Sequence, residues 1–272
     1  MSEDLFSPRL ALASLSGCSD ANWAIAGSRH AGAAFLGGIA LDDPARIAAK
    51  SLVERGRDEF LPPDPIGFVE AQLSRLESVA IRPGINVRST SREPIADVAR
   101  CCVRTEGLLE INAHCRQEEL CAVGCGETLL ADTDRLGSFV ETAVEVGAVT
   151  GVKVRAEVPG VDLVETARRI ETAGATFVHV DAMDSRQVVA DVVDTTDLFV
   201  IANNGVRTAT DVEEYRSYGA HAVSLGRPSD DPIARERVRR ALGESVRESV
   251  DEPGGESVDE SVDSSAERSS AE

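Results

Sequence analysis

Short runs of apolar, often β-branched residues alternate with longer amphipathic stretches along most of the chain. The runs at 10–15, 33–41, 84–87, 108–112, 151–155, 177–180, 198–202 and 222–225 have the length of strands. Their apolar positions are consecutive rather than alternating, as in strands covered on both faces, which is the pattern of a parallel sheet. Between them, 22–29, 45–59, 66–79, 94–104, 134–146, 162–173, 185–193, 210–218 and 232–242 space their apolar residues as helices do. Eight strands with intervening helices predict an α/β fold, a (β/α)8 TIM barrel. A doubly wound open sheet is the alternative, but no early G-x-G-x-x-G turn is present to support it. Thr133-Asp134, Thr208 with Asp211, and Asp20 are placed to cap helix starts.

The pattern stops near Gly243. Over 243–272 Glu-Ser-Val recurs, and ten acidic residues face two basic ones, a net of −8 out of the chain's −19. Such a composition buries too little apolar surface to fold. The expected organisation is one barrel domain over 1–243 and a disordered acidic tail over 244–272. No apolar run reaches about 18 residues, the length of a membrane span, and residues 1–4 do not read as a signal peptide. A soluble, cytoplasmic protein with no membrane partner is expected.

Charge alters this picture at one point above all. Acidic residues number 47 against 28 basic ones, and Lys50 and Lys153 are the only lysines. An acidic, lysine-poor surface has a halophile-like character and repels nucleic acid at low salt. Against that background Lys153, in the middle of an apolar run, carries weight. A lysine buried there is costly unless a counter-charge or a ligand meets it. A structural carboxylate is one reading, and a cofactor is the preferred one.

The densest candidate chemistry follows the fourth run, in Glu110-Ile-Asn-Ala-His-Cys115-Arg-Gln and then Gly124-Cys-Gly126. Asn112 both donates and accepts, and His114 and Cys115 can move protons near neutral pH. Cys101 and Cys102 lie in a helical stretch and read as packing. Cys115, Cys121 and Cys125 with His114 fit no common paired-thiolate spacing, so no metal site is expected and a catalytic thiol is the better reading. Asn203-Asn204-Gly205 and Leu225-Gly226-Arg227 end the last two strands, where barrels often bind phosphate on free backbone N–H groups. His179 and Asp181 share one face of the sixth strand, and Asn86 and Arg88 end the third.

Together these segments resemble the tRNA-dihydrouridine synthases, in particular their shorter archaeal relatives. Ile111-Asn112-Ala-His-Cys115-Arg is similar to that family's Ile-Asn-x-Gly-Cys-Pro, and Val152-Lys153-Val-Arg155 to its Val-Lys-Ile-Arg. Asn204-Gly205-Val resembles its Asn-Gly-Asp, and Leu225-Gly226-Arg227 its Ile-Gly-Arg. Residues 13–20 echo its Ala-Pro-Met-Ala-Gly-Val-Thr-Asp. The likeness runs in order over roughly 10–227. It implies an FMN-binding TIM barrel that reduces uracil in tRNA to dihydrouracil, with NADPH or NADH as electron donor. On this likeness Cys115 is the general acid and Lys153 hydrogen-bonds the flavin ring. Asn86 stands where the family has a flavin-contacting glutamine. Asp181, with His179 as the other match, takes the place of its flavin-site histidine. Asn204, Gly205, Gly226 and Arg227 form the phosphate loops, while Asn112 and His114 face the base.

The sequence also departs from that pattern. His114 replaces a glycine and Arg116 a proline, and Gln117, Glu118 and Glu119 occupy the stretch where the family carries a lysine. After Arg227 there is room for one helix and the acidic tail, rather than for the helical domain that grips tRNA. Two further readings therefore stand beside tRNA as substrate. One is a flavin barrel acting on a free pyrimidine or other small molecule, as dihydroorotate dehydrogenases do. The other is a non-redox barrel that uses its phosphate loops to bind a sugar phosphate.

Overall fold

A computed structural model of the chain describes residues 4–243. Eight parallel strands close into a barrel in chain order. They are β1 Leu10–Leu12, β2 Ala33–Ala40, β3 Arg82–Arg88, β4 Leu108–Ala113, β5 Val149–Arg155, β6 Phe177–Asp181, β7 Phe199–Asn203 and β8 Ala222–Leu225. Closure is made by β8 pairing back onto β1, with Leu12 opposite Leu225. The fold is the (β/α)8 barrel that the hydrophobic pattern predicts. The reading of 244–272 as a disordered tail lies outside the described residues.

The helices are α1 Ala21–Gly27, α2 Asp43–Glu54, α3 Pro65–Ser74, α4 Arg92–Arg104, α5 Glu118–Ala122, α6 Thr128–Ala131, α7 Thr133–Glu145, α8 Leu163–Thr172, α9 Val188–Thr195, α10 Ala209–Ser217 and α11 Pro232–Ala241. Among the described residues no helix is long and apolar enough to cross a membrane. Asp20 caps α1 by accepting from the Trp23 N–H, and Thr208 and Asp211 form a reciprocal capping box on α10. The cap of α7 is Asp132 rather than Thr133-Asp134, a shift of the kind expected at helix ends. α5 and α6 have no signal in the apolar spacing because each is little more than one turn. α2 ends five residues before the predicted 59. The chain turns at Gly56 and returns to the barrel, where Phe60 bridges to Ile39. That return brings Glu59 to Arg88 at the end of β3.

Two-residue alternation separates the barrel interior from its wall. Toward the N-terminal end, the inward positions are apolar. Ala11, Ala33, Phe35, Leu108, Phe177 and Phe199 form one cluster there with Leu5 and Phe6 from the N-terminal segment. Phe6 packs on Phe199 with ring centroids 5.4 Å apart, and Phe35 on Phe177 at 5.6 Å. Further along the same strands the inward positions become polar: Asn86, Glu110 and His179, then Arg88, Asn112, Lys153 and Asp181, all buried. The fold thus spends its apolar residues on one end of the interior and its chemistry on the other.

Candidate functional site

A cleft of about 530 Å³ opens at the C-terminal ends of the strands, a volume suited to a small-molecule ligand or cofactor. His114, Cys115, Lys153, Asp181, Asn204, Gly205, Gly226 and Arg227 all line it. The sequence-predicted residues from five different strand ends therefore converge on one space. Asn86 and Asn112 do not line it. They lie beneath, at 0% and 3% exposure, and hold each other through Asn112 Nδ2 donating to Asn86 Oδ1 at 2.8 Å. Of the two matches for the family's histidine, Asp181 is on the cleft wall, whereas His179 is fully enclosed.

The buried asparagines position the loop that carries Cys115. Asn112 Oδ1 accepts from the backbone N–H groups of both His114 (3.2 Å) and Cys115 (3.0 Å). On the far side, the Glu127 N–H donates to the Cys115 carbonyl at 2.8 Å. Gly126 has φ +67°, and a Cβ there would lie 2.1 Å from that carbonyl oxygen. Glycine is required for both reasons.

Arg88 is the main charge beside the thiol. Its guanidinium pairs with Glu59 at 2.6 Å, with both side chains almost wholly enclosed, and it also donates to Ser16 Oγ. Burial would push the Cys115 thiol up, but the Arg88 charge and the hydrogen bond with His114 outweigh it and hold the thiol at about 6. The other five cysteines are all shifted upward, chiefly by burial, with Cys125 at about 12. Cys115 is the one thiol of six prepared to ionise near neutral pH.

His114 Nε2 meets Asp181 Oδ2 at 2.7 Å. The other oxygen of Asp181 accepts from Asn204 Nδ2 at 3.0 Å and from the Met183 N–H at 3.3 Å. Burial works against both charges. The mutual contact nonetheless raises His114 above its ordinary value and holds Asp181 at about 2. Asn204 sits at φ +84°, a conformation asparagine tolerates better than most residues, and the Tyr215 hydroxyl donates to its carbonyl at 2.8 Å.

Lys153 is 3% exposed, lines the cleft, and makes no hydrogen bond or ion pair with any described residue. Its charge helps to hold both Glu110 and Asp181 low. Around it, Arg116, Arg155, Arg207 and Arg227 also line the cleft, and Asp181 is the one carboxylate among the lining residues. An excess of cationic side chains lining a cleft, in a chain of net charge −19, favours an anion there. The backbone N–H groups of Gly205, Val206, Gly226 and Arg227 have no partner among the described residues. Nor do those residues include three or more His, Cys, Asp or Glu side chains grouped to hold a metal ion.

Residue-by-residue reading of the sequence missed the roles of Arg88, Glu59, Arg155 and Arg207. For two of them a signal existed. Arg88 lies two positions after Asn86, and Arg155 two after Lys153, so each shares the inward face of a residue already singled out.

The fold and site define a (β/α)8 barrel with a cation-lined, thiol-bearing cleft at the C-terminal mouth of its strands. The dihydrouridine synthase (Dus) family model matches residues 85–234, more than half of the chain, and the chain belongs to that family. The family's enzymes are FMN-dependent oxidoreductases. An uncharacterized protein of Methanocaldococcus jannaschii is 24% identical over 204 residues, which cover 71% of this chain and 78% of that protein. Among solved structures, FabK from Thermotoga maritima superposes with a TM-score of 0.58 at 15% identity, covering 85% of this chain and 62% of that one. A chain of the tryptophan synthase complex from Pyrococcus furiosus superposes with a TM-score of 0.56 at 15% identity, covering 86% of this chain and 98% of that one. These two likenesses concern the fold alone.

Proposed function

We propose that the chain binds FMN in this cleft and reduces a uracil base in tRNA to dihydrouracil, with NADPH or NADH as electron donor. The observation that carries the flavin reading is Lys153, a buried cation lining the cleft with no hydrogen-bond or ion-pair partner among the described residues. Leaving a buried ammonium without a direct hydrogen-bonded partner is costly, so it is best understood as meeting an anionic or electron-rich ligand. Gly226 supports the same reading, because a Cβ there would meet nothing within 4 Å and the loop leaves room beside its free N–H.

In this reading Arg227 and the N–H groups of Gly205 and Gly226 hold the phosphate, and Lys153 stabilises negative charge on the ring system. Bound FMN, once reduced, supplies the hydride. Cys115 supplies the proton that completes the addition across the substrate's ring double bond. Asn112 acts through the loop, since its side-chain oxygen is already committed to the His114 and Cys115 N–H groups. Asn86 acts one step further away, through Asn112.

Family membership and the exposed Arg116, Arg207 and Arg227 at the cleft favour a polyanionic substrate. A free pyrimidine or similar small molecule is the second reading, favoured by the acidic balance of the whole chain. The flavin reading is tested by titrating the purified protein with FMN at high salt. Bound flavin absorbance with one equivalent retained is the expected result, and absence of retained flavin overturns the proposal in both substrate forms.

A further inference from the structure

The loop after β8 offers Gly226 and Arg227 to the cleft and runs on as a 3-10 turn, Arg227–Asp230. Three of the turn's four residues are exposed, and Ser229 alone is enclosed, at 0% exposure. Its N–H donates to the Gly226 carbonyl at 2.8 Å and so closes the turn. Its other two polar groups are gripped from behind the cleft. The Trp23 indole N–H, from α1, donates to Ser229 Oγ at 3.3 Å. Arg235 Nη1, from α11, donates to the Ser229 carbonyl at 2.8 Å. The side chains of Arg227 and Asp230 make no hydrogen bond or ion pair with a described residue, so side-chain anchorage of the turn passes through Ser229.

Both grips are buried, Trp23 at 9% exposure and Arg235 at 6%. Arg235 Nε is enclosed without a hydrogen-bond partner, which leaves the bond to Ser229 as that guanidinium's described hydrogen bond. Apolar side chains would fill such a space at less cost than a tryptophan N–H and a cation. What the polar groups add is one defined placement of the turn. Neither α1 nor α11 contributes a residue to the cleft lining, so Ser229 is the point at which both helices bear on the site.

We propose that Trp23 and Arg235 are positioning residues for the phosphate of the bound group, acting through Ser229 on the loop that carries Gly226 and Arg227. A shift of the turn carries the Gly226 N–H and the Arg227 side chain with it, and hydrogen bonds weaken steeply as their geometry departs from the optimum. The ring system lies against other elements, with Lys153 on β5, and does not depend on this turn. The grip therefore selects for a phosphorylated ligand over the same ligand without its phosphate.

The inference rests on the phosphate being held at the β8 loop, as proposed above, and its test separates the two. Binding of FMN and of riboflavin, the same ring system without the phosphate, is measured by equilibrium dialysis at constant ionic strength. Trp23→Phe removes the donor and Ser229→Ala its acceptor. Each should lower FMN affinity about three- to tenfold and leave riboflavin affinity unchanged. Because both changes break one hydrogen bond, the double variant should lose no more than either single one. Equal losses for the two ligands, additive losses, or unchanged FMN affinity would each overturn the proposal.

Trp23 is the chain's one tryptophan, so its emission reads the same contact in the unsubstituted protein should a variant fail to fold. Inorganic phosphate, added without flavin, should shift that emission, and an emission unchanged by phosphate rejects the link between Trp23 and the loop. A protein that retains neither flavin yet responds to phosphate at Trp23 would reject the flavin reading and keep the grip on the phosphate loop.

Discussion

Glu110 Oε2 and His179 Nδ1 meet at 2.6 Å in the barrel interior, with neither side chain reaching solvent. Burial keeps His179 below its ordinary value, while contact with His179 and the charge of Lys153 hold the Glu110 carboxylate low against its own burial. The network continues on both sides. Asn86 Nδ2 donates to the other Glu110 oxygen at 2.7 Å, and His179 Nε2 faces Ser224 Oγ at 2.7 Å. Glu110 thus supports the asparagine pair under the Cys115 loop. Replacing it with alanine strands buried polar groups and should cost about 3–5 kcal/mol in chemical denaturation. Glu110→Gln, which keeps an acceptor, should cost clearly less. Equal losses would mean that the network contributes by shape alone.

Lys153 should matter less to the fold than Glu110 does. It makes no hydrogen bond or ion pair with a described residue, and its charge acts only at longer range on Glu110 and Asp181, so Lys153→Met should cost the flavin-free protein little in thermal denaturation. The same change should weaken FMN retention by about tenfold or more, as loss of a desolvated charged contact does. A protein that loses stability but keeps its flavin would show that Lys153 is structural.

The His114–Asp181 pair makes a signed prediction about pH. Asp181 has a lowered folded value of about 2, so its contribution is full above the unfolded value near 3.9 and is lost as pH falls through about 2. His114 has a raised folded value, so its contribution is full below about 6.5 and is lost as pH rises through that folded value. The stability gap between the unsubstituted protein and Asp181→Asn should therefore be widest between about pH 4 and 6.5. A gap that does not vary from pH 3 to 9 would refute the ion pair.

Gly126 gives a test of loop placement without touching a reacting group. Gly126→Ala would force a Cβ to within 2.1 Å of the Cys115 carbonyl, at a φ that favours glycine. Turnover should fall by about a hundredfold, as displacements of about 1 Å at a reacting group do, with the far-ultraviolet dichroism of the barrel retained. Undiminished turnover would mean that the loop need not be held where the structure places it.

How much of this was legible in the chain differs by element. The strands announced themselves because each is covered on both faces, and Lys153 stood out because lysine is otherwise almost absent. The convergence of Cys115, Lys153, Asp181, Asn204 and Gly226 followed from their positions at strand ends. Asn86 and Asn112 were visible as polar positions, but depth along a strand is not encoded in alternation, and both lie under the cleft rather than on it. The Arg88–Glu59 pair was not readable at all. It depends on where α2 stops, and the apolar spacing of 45–59 carries past that point. His114 appeared as a departure from a family motif, and its bond to Asp181 needs the closed barrel to bring β4 and β6 together across β5.

We propose that this cleft reduces uracil in tRNA with Cys115 as proton donor. Nucleoside analysis of tRNA from a strain deleted for the gene, then complemented with the unsubstituted chain or with Cys115→Ala, tests it directly. Dihydrouridine should be lost on deletion, restored by the unsubstituted chain, and not restored by Cys115→Ala. Dihydrouridine that persists on deletion in a strain with no second such enzyme, or that Cys115→Ala restores in full, would contradict the account.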